Sequence, residues 1–229
     1  MLWKVEHMTT HTHIATGLAK IGLFLRSENW RQADAADLSP TQAQILAHLT
    51  RRGPARVTAL AEALGVTQPT ASDAAGALIR KGHVARHPDP DDARASLLHA
   101  TASGRRAAAE TAVWPDALLG AIDTLGADER AIFLKALTKM IRELQVRGAI
   151  PVQRMCATCR FFRPNVHGDP AAPHHCAFVD AAFGEASLRL DCDEHEPADT
   201  SDADALWQSF LGAPAGQADA PPAATGEAS

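Results

Sequence analysis

All four cysteines of the chain stand in one window of 37 residues, spaced Cys156-x2-Cys159-x16-Cys176-x15-Cys192. Four thiols gathered this way suit the ligand set of a single metal centre. A Cys-x2-Cys turn lets two sulfurs reach one point, and two distant cysteines complete a four-thiolate set that zinc and an iron–sulfur cluster both accept. Two features favour a 4Fe-4S cluster. Structural zinc sites usually pair their second two ligands closely as well, whereas Cys176 and Cys192 are single and far apart. Phe161, Phe162, Phe178 and Phe183, four of the seven phenylalanines, also fall here, and an apolar shell keeps water from a cluster and tunes its potential. Zinc stays open as the alternative, because His167, His174, His175 and His195 could replace or supplement a thiolate. A thiol/disulfide switch is a third reading. A segment this short buries too little surface to fold alone, so a metal staple is expected on physical grounds.

The elements that position this window come before it. The chain has 229 residues, enough for one domain and a small appendage. Net charge is −5 but uneven: residues 1–150 hold 18 Lys and Arg against 15 Asp and Glu, and residues 151–229 hold 4 against 12. The first part suits phosphates and the second repels them. No apolar run approaches the roughly 20 residues that span a bilayer, and the start lacks an apolar signal core. The expectation is therefore a cytoplasmic protein with no membrane partner, where clustered cysteines bind metal rather than form structural disulfides. No Ser/His/Asp or paired-carboxylate constellation has credible spacing, so no enzyme is expected.

Helical periodicity runs over Thr12 to Trp30, with Ile14, Leu18, Ile21 and Leu25 on one stripe. Ser39 and Pro40 suit the cap and first position of a second helix through Leu49. Arg56 to Leu64 makes a third, closed by Gly65. Thr67 caps a fourth, Gln68 to Lys81. Val84, Leu97 and Leu98 suggest two short strands with a turn at Pro88 to Asp92. Helices then run over Ala102 to Leu125, with Pro115 starting, kinking or splitting the segment, and over Ala127 to Arg147, with Phe133, Leu137, Met140 and Leu144 at helical spacing. The expected domains are 1–11 as a flexible start, 12–150 as a winged-helix and dimerisation domain, 151–197 as a four-cysteine metal-binding module, and 198–229 as a disordered acidic Ala/Pro-rich tail. Within the tail, Leu206 to Leu211 forms an apolar patch able to dock.

Three helices, a tight glycine turn before the last, and a hairpin follow the order of a winged helix-turn-helix, a fold that is mainly α with a small β wing. The last helix of such a motif fits the major groove and reaches bases and phosphates with its N-terminal part. Here that part carries Thr67, Gln68, Thr70 and Ser72, flanked by basic Arg51, Arg52, Arg56, Arg80, Lys81 and Arg86. The chain resembles the MarR family of winged-helix regulators over about residues 12–148. The resemblance is carried by Leu60 to Ser72, by Leu78 to Val84, by Asp89-Pro90-Asp91-Asp92-Ala93-Arg94, and by the Thr101-x-x-Gly104 start of the next helix. It implies a homodimer formed by the first and last helices on a pseudo-palindromic double-stranded operator, read as a repressor. It also implies that Arg94, its guanidinium fixed by Asp92, enters the minor groove, and that a small-molecule effector binds between the dimerisation helices and the DNA-binding lobe. Asp73 stands where family members often carry a basic residue, and an acid there repels phosphate.

The window of cysteines is similar to high-potential iron–sulfur proteins, which also run Cys-x2-Cys-x-Phe-Phe before two lone cysteines. That resemblance implies Cys156, Cys159, Cys176 and Cys192 as cluster ligands. The Gly-aromatic pair such proteins commonly carry before the last cysteine is Leu190-Asp191 here. Together these readings describe a MarR-type regulator whose four-cysteine centre senses redox state or metal. The alternative is a ligand-responsive regulator with a purely structural zinc.

Overall fold

The computed structural model describes residues 9–212. Residues 1–8 of the expected flexible start and residues 213–229 of the expected tail lie outside that range. The chain divides between Ala121 and Ile122 into two compact units.

The first unit begins with α1 (Thr10–Ala35), two residues earlier and five later than the sequence stripe suggests. Thr9 caps it by accepting the Thr12 N–H. Its later turns continue because Ala33 has a core to enter, being buried among α1's neighbours. The second helix, α2 (Pro40–Arg52), is capped as its sequence predicts: Ser39 Oγ accepts the Gln42 N–H at 3.3 Å while Gln42 Oε1 accepts the Ser39 N–H at 3.2 Å. Next come α3 (Val57–Leu64) and α4 (Gln68–Arg80). Gly65 turns the chain between them at φ 64°, a left-handed conformation open to glycine at no steric cost.

The hairpin of β1 (Val84–Asp89) and β2 (Asp92–Ala100) is antiparallel, with Val84 opposite Ala100 and Arg86 opposite Leu98. Ala55 exchanges two backbone hydrogen bonds with Leu98, which fastens the hairpin to the segment before α3. Pro115 splits the following helical segment into α5 (Ala102–Thr111) and α6 (Asp116–Asp123). Ile45, Leu46, Leu60, Leu78 and Leu98 are fully buried and make one apolar core with Val84 and Ala108.

The second unit holds α7 (Ala127–Val146), the cysteine segment and α8 (Thr200–Leu211). Its sheet is three short antiparallel strands in the order β3 (Phe162–Arg163), β4 (His174–Cys176), β5 (Ala181–Phe183). Of the apolar stripe on α7, Phe133, Met140 and Leu144 are exposed and Leu137 is half-buried, while Leu134 packs into the module core and Thr138 and Gln145 are buried. The apolar patch at Leu206 to Leu211 docks: it is the end of α8, and Phe210 is completely buried against Phe162, Trp207 and His174.

Candidate nucleic-acid interface and metal centre

The helix α4 separates its two faces sharply. Ala71, Ala74, Ala75 and Leu78 are buried, and Thr67, Gln68, Thr70, Ser72, Asp73 and Arg80 are exposed. Thr67 caps the helix through the Thr70 N–H at 3.3 Å, and the two hydroxyls lie 2.8 Å apart. Their spare hydrogen-bonding capacity and the positive end of the helix dipole face outward, an arrangement that suits phosphate. Arg86 on β1 and Arg94 at the hairpin tip are exposed as well. Lys81 is spent differently from the flanking role its charge suggests: its ammonium donates to the Asp37 backbone carbonyl and lies 3.0 Å from the Asp37 carboxylate.

The hairpin tip corrects one expectation. Asp92 does fix Arg94, but through the Arg94 backbone N–H at 3.0 Å, not through its guanidinium. The second Asp92 oxygen lies 3.6 Å from Arg56. Arg56 also donates to Asp89 at 2.6 Å, and Asp89 accepts the Asp91 N–H at 3.0 Å. The Asp91 N–H and the Arg56 guanidinium hold the Asp89 carboxyl below its ordinary range, and Asp89 in turn raises Arg56. The wing is thus tied at its tip by Arg56, a residue that sequence reasoning saw only as part of a basic flank. Its partner lies 33 positions away, and no local pattern marks such a pair.

At the far end of the hairpin, Thr101 and Gly104 explain their own spacing. Thr101 Oγ donates to the Gly82 carbonyl at 2.8 Å and accepts the Gly104 N–H at 3.1 Å. A Cβ on Gly104 would meet the His83 carbonyl oxygen at 2.1 Å, so only glycine lets α5 start this close to the hairpin.

In the second unit the four cysteines meet. Cys156 opens a single 3-10 turn to Thr158, and Cys159 closes it through its N–H to the Cys156 carbonyl. Cys176 ends β4, opposite Phe162 on one side and Ala181 on the other. Cys192 is pinned by its N–H to the Arg154 carbonyl at 2.8 Å. All four line one cavity of about 180 Å³, together with Phe161, Phe162, Phe178 and Phe183. Burial pushes the Cys156 thiol up, and the other three cysteines push it further, as expected of sulfurs sharing one space. Arg189 donates its backbone N–H to Cys156 Sγ at 3.3 Å and its guanidinium to Cys192 Sγ at 3.6 Å, and the Cys192 S–H donates to Glu194 Oε2 at 3.3 Å. Neither Arg189 nor Glu194 was singled out by the sequence. Arg189 lies 33 residues from Cys156, and only the Leu188 and Leu190 around it hinted at a fixed position.

None of His167, His174, His175 and His195 lines the cavity. His174 is buried among Phe162, Phe183 and Phe210 and accepts the Asn165 N–H; burial lowers its pKa. His195 lies 2.9 Å from the Thr158 hydroxyl, and His167 lies 3.3 Å from His175. Among the described residues, no group of three or more His, Cys, Asp or Glu side chains is gathered in a way that could hold a metal ion.

The cysteine segment is also joined to α7. Lys135 donates to Glu185, three residues before the buried Leu188, and sits over the Phe210 ring at 5.3 Å. Gln145 donates to Met155 Sδ at 3.6 Å, beside Cys156.

Comparison with known proteins bears on the first unit. Residues 36–95 match the model of the MarR family, a span from the end of α1 to the hairpin tip. The structure of the S. aureus MepR–DNA complex shares the fold, with a TM-score of 0.50 and 23% identity, covering 60% of this chain and 100% of that one. Transcriptional regulator Tm0710 from Thermotoga maritima is 23% identical over 59% of this chain and 96% of its own, with a TM-score of 0.43. NadR in complex with 4-hydroxyphenylacetate is 22% identical over 61% of this chain and 97% of its own, with a TM-score of 0.46. No curated protein matches the chain. The segment 36–95 is thus similar to the MarR family and has a winged-helix fold.

Proposed function

We propose that the chain is a MarR-type transcription regulator, a repressor acting as a homodimer on a double-stranded DNA operator, with an iron–sulfur centre as its input. The observation that carries the DNA reading is the exposed polar start of α4 beside the exposed tip residue Arg94, on a segment that matches the MarR family. Thr67, Gln68, Thr70 and Ser72 read the major groove, Arg80 and Arg86 meet phosphates, and Arg94, positioned by Asp92, enters the minor groove. The dimer is supported by apolar side chains that α1 and α7 leave in solvent, including Ile14, Ile21, Trp30, Phe133 and Met140. MepR, solved in complex with DNA, is a precedent for DNA binding on this fold.

The input reading rests on the four cysteines lining one apolar-walled cavity, held to α7 through Lys135, Glu185 and Phe210. Cys156, Cys159, Cys176 and Cys192 would hold a 4Fe-4S cluster there, which supplies a reversible one-electron change or loss on oxidation. The chain's own part is to exclude water with four phenylalanines, to donate an N–H to sulfur, and to pass any shift at the cysteines to α7. A second reading is a small-molecule effector with a structural zinc. A cleft of about 100 Å³ between α1, α2 and α5, lined by Asn29, Gln32, Gln44 and Thr111, favours the effector half of it.

Gel-shift titration on DNA selected from a random pool by the wild type tests the DNA reading. Arg94→Ala should weaken binding about tenfold, or ~1.4 kcal/mol; unchanged affinity would remove Arg94 from the interface. Iron and sulfide analysis of anaerobically purified protein tests the centre. A brown protein with iron and sulfide is the expected result, and a colourless one with zinc would reverse it.

A further inference from the structure

We propose that Arg189 is the residue that sets the electronic poise of the centre, by placing one N–H and one positive charge on two of its four sulfurs. The inference rests on the iron–sulfur reading above and goes beyond the ligand set to a residue that no cysteine pattern would single out. Its geometry is reciprocal. The Arg189 backbone N–H donates to Cys156 Sγ at 3.3 Å, and the Cys156 N–H donates back to the Arg189 carbonyl at 2.9 Å. Leu188, buried in the module core next door, fixes this backbone in place. Arg189 also lines the cavity, and its guanidinium lies 3.6 Å from Cys192 Sγ and 3.5 Å from Glu194 Oε2.

Four thiolates outweigh the positive core of a 4Fe-4S cluster, and an added electron makes the whole more negative. Hydrogen bonds to sulfur and a nearby positive charge both stabilise the reduced state more than the oxidised one, and so raise the potential. Glu194 works against this. The Cys192 S–H donates to its carboxylate at 3.3 Å; once that sulfur gives up its proton to ligate iron, the carboxylate repels the added electron, and it also draws the guanidinium aside. The Arg189 side chain is 60% exposed, so water screens its charge and its effect is moderate. The backbone N–H survives substitution and the charge does not, which separates the two contributions.

The test is a spectro-electrochemical titration of the full-length protein, in which a mediator delivers one electron per cluster. At a fixed ambient potential near the wild-type midpoint, Arg189→Gln should lower the reduced-to-oxidised ratio at least threefold, equivalent to about 28 mV at 59 mV per tenfold for one electron. Arg189→Lys, which keeps the charge, should stay within twofold. Glu194→Gln should move the ratio the opposite way, at least twofold. If Arg189→Gln fails to retain iron, Arg189→Lys retaining it together with the Glu194→Gln shift supports the assignment, and an unmoved Glu194→Gln overturns it. A brown Arg189→Gln protein with the wild-type ratio overturns the role of Arg189 and leaves the cluster reading intact. A wild type without iron and sulfide overturns the cluster reading itself, and this inference with it.

Discussion

The two units hold themselves together in different ways. The winged helix has a continuous apolar core, with Ile45, Leu46, Leu60, Leu78 and Leu98 fully buried. The cysteine module buries Phe162, Leu188, Phe210 and Cys159, leans on Leu134 of α7, and leaves four sulfurs around a cavity. One unit is complete as a folded object and works through its surface. The other places its reactive atoms inside, where packing side chains would stand in a module built only for stability. On the proposed function, the outer face of α4 contributes little to the first core, whereas the cysteines belong to the interior of the second.

The sharpest way to break this contrast is to remove the centre. Serine in place of Cys156 and Cys192 together should abolish iron binding. It should also turn the module's own thermal transition into a non-cooperative one, with the winged-helix transition unmoved. Calorimetry of the holo and substituted proteins checks it, and loss of both transitions together would refute the independence of the two cores. Next in size, Phe210→Ala should cost the module about 3–5 kcal/mol, since a fully buried ring touching Phe162, His174 and Trp207 disappears. Protease susceptibility near Cys156 should rise while DNA affinity of the remaining folded protein stays within twofold.

Gly104→Ala makes the corresponding change in the other unit. A Cβ 2.1 Å from a backbone oxygen forces α5 and the hairpin apart, at about 1–3 kcal/mol, and urea denaturation should report it only in the winged-helix transition. The smallest effect is that of pH on the wing. Asp89 has a folded pKa below its ordinary value of 3.8, so its stabilisation is present above that value and is lost as pH falls through the folded one. Asp89→Asn should flatten the acid limb of wing stability, read by hydrogen exchange at the Asp91 amide between pH 5 and 3, given as approximate bounds around the carboxylate range.

What was legible in the sequence follows the same division. Ser39, Thr67, Gly65 and Pro115 act on neighbours within four residues, and each does in the structure what its local chemistry demands. The four cysteines could be read as one set because no others compete with them, and the structure gathers all four at one cavity. The Arg56–Asp89 tie, the Arg189 contacts to Cys156 and the Lys135–Glu185 pair join residues 33 to 50 positions apart, and only the fold brings these together. Asp92 shows the intermediate case. Its position beside Arg94 was visible, but which atoms it would hold depended on Arg56 arriving from the start of α3. On α7 the helical spacing of Phe133, Leu137, Met140 and Leu144 was legible, and all but the half-buried Leu137 are exposed; the face that meets the module, Leu134, Lys135, Thr138 and Gln145, mixes polar and apolar residues and carries no apolar pattern.

The central claim is that a four-cysteine centre governs a DNA-binding output. The measurement that tests it most directly is operator affinity of the same preparation before and after anaerobic removal of its iron, on DNA selected by the iron-loaded form. The account predicts at least a tenfold difference, ~1.4 kcal/mol, with the iron-free protein still folded in its winged-helix unit. Equal affinity of the two forms would contradict the account and leave the centre a structural staple.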